Sequence, residues 1–361
     1  LSRGDTEALG LNTARLKKRN ISMTDTANGP KIGISVSNFD NATLRRVRQL
    51  GITIVHSSGG AGSSDSNFGR EKQLPWTEEV LGGQVRALEA HGIKLGIKMI
   101  TGFPNAIYGR PGRDEEIENV IESIKIAGRL EIPVVEYNWY AHRIIEGYYY
   151  VEGRGGSEYH AFDYEKIKDL PPLPNEGAHS ADAMWDNITY FLKAIIPAAE
   201  EAGVRMALHP NDPPAPISRG SEQIMGSIYG WKKLVGLIDS TANGITFDCG
   251  VTREMGGDPV DIARYFGGLD RINHVHWRNV ITDIPNEKYT EVFLDEGEVD
   301  MLGVMKELVR QGYPRMIYPE HPPRMDHDNE FPVDGFGGGY TGFAYTVGYA
   351  RATLQAALAG S

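Results

Sequence analysis

The stretch SADAMWDNITYFLKAIIPAAEEAGVRMALHP (180–210) sets the frame for the whole chain. Ser180 can cap a helix over Ala181–Ala202 that carries Trp185, Phe191 and Leu192. Gly203 ends that helix. A strand, Val204–Leu208, starts at once and delivers His209 to the loop beyond it. The same helix–glycine–strand step recurs at His91-Gly92-Ile93 and at Gln311-Gly312-Tyr313. Further strands are expected at Lys31–Val36, Ile52–His56, Lys94–Met99, Pro133–Tyr137, Gly244–Asp248, Arg271–His276 and Arg315–Pro319. Between them fall helical periods at Ala42–Gln49, Thr77–His91, Asp114–Gly128, Ser221–Leu237, Pro259–Phe266, Asp300–Gln311 and Thr341–Leu358. Thr77 opens its helix after Pro75-Trp76, with Glu78 and Glu79 in the first turn. Eight such units predict an α/β fold, a (β/α)8 TIM barrel. A doubly wound open sheet is the alternative.

At 361 residues the chain suits one decorated barrel over 30–361. Residues 1–29 read as a solvated leader with a basic run at Arg15, Lys17, Lys18 and Arg19, lacking the apolar core of a signal peptide. An insertion at 141–179 follows strand four. Its Tyr148-Tyr149-Tyr150, Gly155-Gly156 and Pro171-Pro172 suit a folded loop over the barrel mouth. The formal charge of -11 argues against nucleic-acid binding. No apolar run is long enough to span a membrane. The single cysteine, Cys249, excludes an internal disulfide and points to a reducing cytoplasm.

Reactive groups in such a barrel stand at the C-terminal ends of the strands. Strand five ends at His209, strand six at Asp248, strand seven at His276, and strand eight at Glu320-His321. Imidazole, carboxylate, imidazole and carboxylate at successive ends form a nitrogen–oxygen ligand set for Mn²⁺, Fe²⁺, Co²⁺ or Zn²⁺. His274 shares a face with His276 by strand alternation and lies deeper, as a core residue or a support for the ligands. Cys249 is expected to point away from the Asp248 side. Arg278 can hold a carboxylate bidentately. Tyr137 and Asn138, at the end of strand four, are candidate hydroxyl contacts. Tyr340 follows Gly337-Gly338-Gly339 and can place its phenol over the mouth. The glycine run lacks the strand–GxGxxG–helix setting of a nucleotide site. The run from His56 through Ser64 reads as a mouth loop.

These residues resemble the mannonate dehydratase family, among the xylose-isomerase-like barrels. The similar segments include Met184-Trp185-Asp186-Asn187, His209-Pro210-Asn211-Asp212-Pro213-Pro214, His274-Val275-His276-Trp277-Arg278-Asn279 and Gly297-Glu298-Val299-Asp300. Tyr137-Asn138-Trp139 resembles the family's Tyr-Asn-Phe. The resemblance implies dehydration of D-mannonate to 2-keto-3-deoxy-D-gluconate with Mn²⁺ or Fe²⁺. It implies metal ligation by His209 and Glu320, a ligand or acid/base role for His321, and a catalytic role for Tyr340. Asp248 stands where the family carries a ligand Cys, with Cys249 one place on. The family's paired His after strand two is replaced by Ser57-Ser58-Gly59.

The expected enzyme is thus a metal-dependent sugar-acid hydro-lyase. Its ion sits on His209, Asp248, His276 and Glu320, its proton transfers use Tyr340 and His321, and Arg278, Asn138 and Tyr137 bind substrate. A homo-oligomer is expected. The rivals are a metal-dependent sugar isomerase or epimerase on the same barrel and a non-catalytic sugar-binding protein.

Overall fold

A computed structural model describes residues 29–58, 74–333, 335–336 and 339–360. The leader through residue 28, loop residues 59–73, and Gly337 and Gly338 lie outside the described residues.

All eight expected strands are present, joined in one parallel sheet. In chain order they are a first strand in two pieces, Lys31–Ile32 and Ile34–Ser35, then Ile54–Ser57, Lys94–Ile100, Val134–Tyr137, Arg205–Leu208, Asn243–Asp248, Ile272–His276 and Met316–Tyr318. The broken first strand closes the barrel. Lys31 pairs with Met316 on one side, and Ile34 pairs with Val55 on the other. Gly33 sits at the break because the wall is crowded there. A Cβ on it would lie 2.5 Å from Met316 Sδ and 2.7 Å from the Ile54 carbonyl.

Helix Ala181–Ala202 shows why the outer layer forms. Ser180 Oγ accepts the Ala183 amide at 3.3 Å, and Gly203 adopts φ 68° at the C-terminus. Met184, Ile188, Phe191, Leu192, Ile195, Ile196 and Ala199 form its buried face, at three- and four-residue spacing. Phe191 meets Phe103, Tyr137 and Trp139, an aromatic cluster that seats the helix on the barrel.

Two features differ from the sequence expectation. The helix expected from Ser221 begins at Ile228, because Ser221-Glu222 pairs with Ile217-Ser218 and Ser227 caps the later start. The segment after strand seven, where the sequence reading places no strand, is a hairpin of Asn279–Ile284 and Lys288–Val292. It joins a second hairpin, Tyr148–Glu152 and Glu158–Asp163, from residues 141–179. Together they make a four-stranded antiparallel accessory sheet on the mouth side. No helix among the described residues is long and apolar enough to cross a membrane.

Candidate metal centre and its surroundings

Four successive strand ends deliver His209, Asp248, His276 and Glu320 to one point. One donor atom from each lies within 4.8 Å of the others. His209 Nδ1 donates to the Pro210 carbonyl at 2.8 Å, which leaves Nε2 turned inward. That Nε2 is 3.2 Å from His276 Nδ1, and His276 Nδ1 is 2.8 Å from Glu320 Oε1. Asp248 Oδ1 accepts the Val251 amide and caps helix Cys249–Glu254, and its Oδ2 is 3.8 Å from His276 Nδ1. Burial pushes Glu320 well above the usual carboxylate range and His276 well below the usual imidazole range. Glu320 Oε1 is buried, and its approach to His276 Nδ1 lacks the alignment of a hydrogen bond. Two imidazoles and two buried carboxyl groups aimed at one point are the donor set of a divalent cation, and the residues fit one. Cys249 is buried outside this group, and burial holds its thiol well above the usual range.

Glu136 supports the centre from below. Its carboxylate lies in the barrel interior, accepting Thr246 Oγ1 at 2.6 Å and facing His274 Nδ1 at 3.0 Å and His56 Nε2 at 3.0 Å. It is 3.4 Å from His276 Nε2, so that ring presents Nδ1 to the metal group. Burial raises the Glu136 carboxyl, but the surrounding imidazoles outweigh burial and hold it well below its usual range. Sequence reading singled out His274 and passed over Glu136. A lone acid inside Val134-Val135-Glu136-Tyr137 was the available signal.

Arg278 is 1% exposed, and all three of its nitrogens face protein carboxylates. Nε meets Asp248 at 3.1 Å, Nη1 meets Glu254 at 2.7 Å, and Nη2 meets Asp212 at 3.2 Å. Glu320 and Glu291 stand at 3.5 and 3.7 Å. Arg278, expected to hold a substrate carboxylate, thus sits among protein acids around the candidate centre and balances their charge. Asp212, from the His-Pro-Asn-Asp-Pro-Pro segment, also accepts Tyr289 Oη at 3.1 Å and Tyr148 Oη at 3.3 Å, one phenol from each accessory hairpin.

His321 is partly exposed beside Glu320. Its Nδ1 is 2.9 Å from Glu291 and its Nε2 is 3.6 Å from Glu320. Burial disfavours the charged ring, but Glu291 and Glu320 outweigh it and push the imidazole up to about 10. Tyr340 is the first residue of helix Tyr340–Ala359, with its ring edge-on to Phe336. Asp328 caps that helix by accepting the Thr341 amide at 2.8 Å and the Gly342 amide at 3.2 Å. Tyr137 departs from its expected place. It is fully buried against Phe191 in the helix layer, because Glu136 takes the inward side of the strand. Asn138, one residue on, is half-buried, with its amide 4.0 Å from Met99 Sδ.

The family model described as D-mannonate dehydratase (UxuA) matches residues 177–359. A mannonate dehydratase of Streptococcus agalactiae serotype V (strain ATCC BAA-611 / 2603 V/R) is 29% identical over 309 residues, 78% of this chain and 88% of that protein. One from Streptococcus pneumoniae (strain 70585) is 32% identical over 292 residues, 73% of this chain and 80% of that protein. The crystal structure of mannonate dehydratase from Streptococcus suis serotype 2 superposes with a TM-score of 0.80 at 26% identity, covering 92% of this chain and 95% of that one. A D-tagatose 3-epimerase-like protein shares the fold, with a TM-score of 0.58 at 16% identity over 91% of this chain and 99% of that one. The match reaches from the capped helix Ala181–Ala202 through all four strand ends that carry the candidate ligands, and the chain belongs to the mannonate dehydratase family.

Proposed function

We propose that this chain dehydrates D-mannonate to 2-keto-3-deoxy-D-gluconate and water, using Mn²⁺ or Fe²⁺ held by His209, Asp248, His276 and Glu320. The observation that carries the reading is the convergence of those four donors within 4.8 Å in a member of this family. When bound, the ion supplies positive charge beside the substrate carboxylate and stabilises the negative charge that develops there. The protein moves the protons. One of His321 and Tyr340 takes the proton from the carbon bearing the 2-hydroxyl, and the other protonates the 3-hydroxyl as its C–O bond breaks and water leaves. The resulting enol returns to the 2-keto form by taking a proton at carbon 3. Asn138 offers a polar contact at the mouth, while Arg278 keeps Asp248 and Glu320 charge-balanced. A reducing cytoplasm suits the buried free thiol of Cys249.

The test offers D-mannonate, other hexonates and free ketoses to protein stripped of metal and reloaded with Mn²⁺ or Fe²⁺. A 2-keto-3-deoxy product from D-mannonate is expected. Turnover of a ketose alone would replace this reading with an isomerase or epimerase.

A further inference from the structure

We infer that Glu291 is a positioning residue for His321, brought to the reaction by the accessory sheet and not by the barrel. The inference rests on the reading above, in which His321 transfers a proton. Glu291 lies on strand Lys288–Val292, in the hairpin that follows strand seven, and is 4% exposed. Its Oε1 is 2.9 Å from His321 Nδ1, while its other oxygen is 3.6 Å from His160 Nδ1 on the neighbouring strand. Arg278 Nη1, at 3.7 Å, adds a third neighbour. The carboxylate is thus held from several sides and does not follow the imidazole if the ring turns.

The backbone of His321 adds a second observation. Its φ is 48°, in the left-handed region that a residue with a Cβ adopts only when its surroundings require it. That conformation turns the side chain toward Glu291, away from the course of strand eight. The ring is then fixed between two acids, with Nδ1 on Glu291 and Nε2 3.6 Å from Glu320 Oε2, at the edge of the metal group. With Nδ1 engaged in the ion pair with Glu291, Nε2 is left as the atom that exchanges a proton with substrate. Without Glu291 the ring turns about its side-chain bonds, and the distance from Nε2 to the reacting atoms is no longer set.

The test uses the full chain loaded with Mn²⁺ and D-mannonate as substrate. Glu291→Gln is expected to lower kcat by about 10²-fold with KM little changed. The bound-metal content should stay at the wild-type level. Glu291→Asp keeps the charge beside Arg278 but withdraws the oxygen from His321, and the same kcat loss is expected. Adding Glu291→Gln to His321→Ala should lower kcat no further, because the two act as one unit. In metal-free protein, where no paramagnetic ion broadens it, a downfield Nδ1–H proton resonance, identified by its loss in His321→Ala, should move upfield or vanish in both Glu291 variants whether or not a substrate turns over. Wild-type kcat in folded Glu291→Gln or Glu291→Asp, additive losses in the double variant, or an Nδ1–H resonance indifferent to Glu291 would each overturn the inference. A wild-type protein that dehydrates no sugar acid would instead overturn the dehydratase reading, and the proton resonance would still decide whether Glu291 holds His321.

Discussion

His276 joins two buried layers of the barrel. Its Nδ1 belongs to the metal group, and its Nε2 faces Glu136, whose other neighbours are His274, His56 and Thr246. A carboxylate behind a ligating imidazole fixes the ring and raises its basicity as a ligand. Glu136→Gln should therefore weaken Mn²⁺ binding by about 10–100-fold. Calorimetric titration of the metal-free protein measures this, and unchanged affinity would show that Glu136 serves only the interior. The four candidate ligands were legible in the sequence because a barrel places chemistry at strand ends, and a strand end can be read as the last residue before a loop. Glu136 was less legible because it stands one residue inside its strand. Whether it or Tyr137 faces the interior depends on register with the neighbouring strands. Arg278 was read by chemical type alone. Its five acidic neighbours come from several separate segments, so no local pattern shows that its fork is filled.

At the level of elements, the accessory sheet adds side chains of its own to the barrel mouth. It contributes Tyr148, Tyr289 and Glu291 to the acids around Arg278 and His321. The hairpin Asn279–Val292 escaped sequence reading because only Val280 of its first strand's β-branched run is buried, while Ile281 and Ile284 are exposed and Thr282 is half-buried, so the run carries little core signal. Asn286, at φ 65° in the turn, was the local clue. The segment before the other hairpin is tied down by Glu146, which meets Arg219 at 2.6 Å and His142 at 3.1 Å. Burial raises the Glu146 carboxyl, but these partners outweigh burial and lower it from 4.5 to about 2. A carboxyl depressed in the folded state stabilises fully above its unfolded value and loses that contribution as the pH falls through its folded value. The window for Glu146 therefore runs from about 4.5 down to about 2. Glu146→Gln should flatten the pH dependence of unfolding in that window, followed by denaturant midpoints. An unaltered acid limb would show that the clamp contributes nothing to stability.

For the whole molecule, the sequence carried the barrel because every strand–helix unit bears its own punctuation, such as Ser180 and Gly203 around helix Ala181–Ala202. Closure was not local: it depends on Gly33 letting the split first strand meet both Met316 and Val55. The net charge of -11 includes Asp248 and Glu320, which lie buried at the metal centre with Glu254 and Glu291 nearby. A divalent ion that binds only the folded chain should raise its stability by about 2.7 kcal/mol at a free concentration one hundred times Kd. Thermal unfolding with Mn²⁺ and with chelator reads this directly, and identical midpoints would contradict a metal site in the folded barrel.

The most direct test of the central claim measures bound metal and 2-keto-3-deoxy-D-gluconate formation in the same samples of wild-type and His209→Ala protein given Mn²⁺ and D-mannonate. The account requires wild-type protein to hold the ion and form the product, and His209→Ala to lose both. Product formed at the wild-type rate by metal-free His209→Ala, or none formed by metal-loaded wild-type protein, would contradict it.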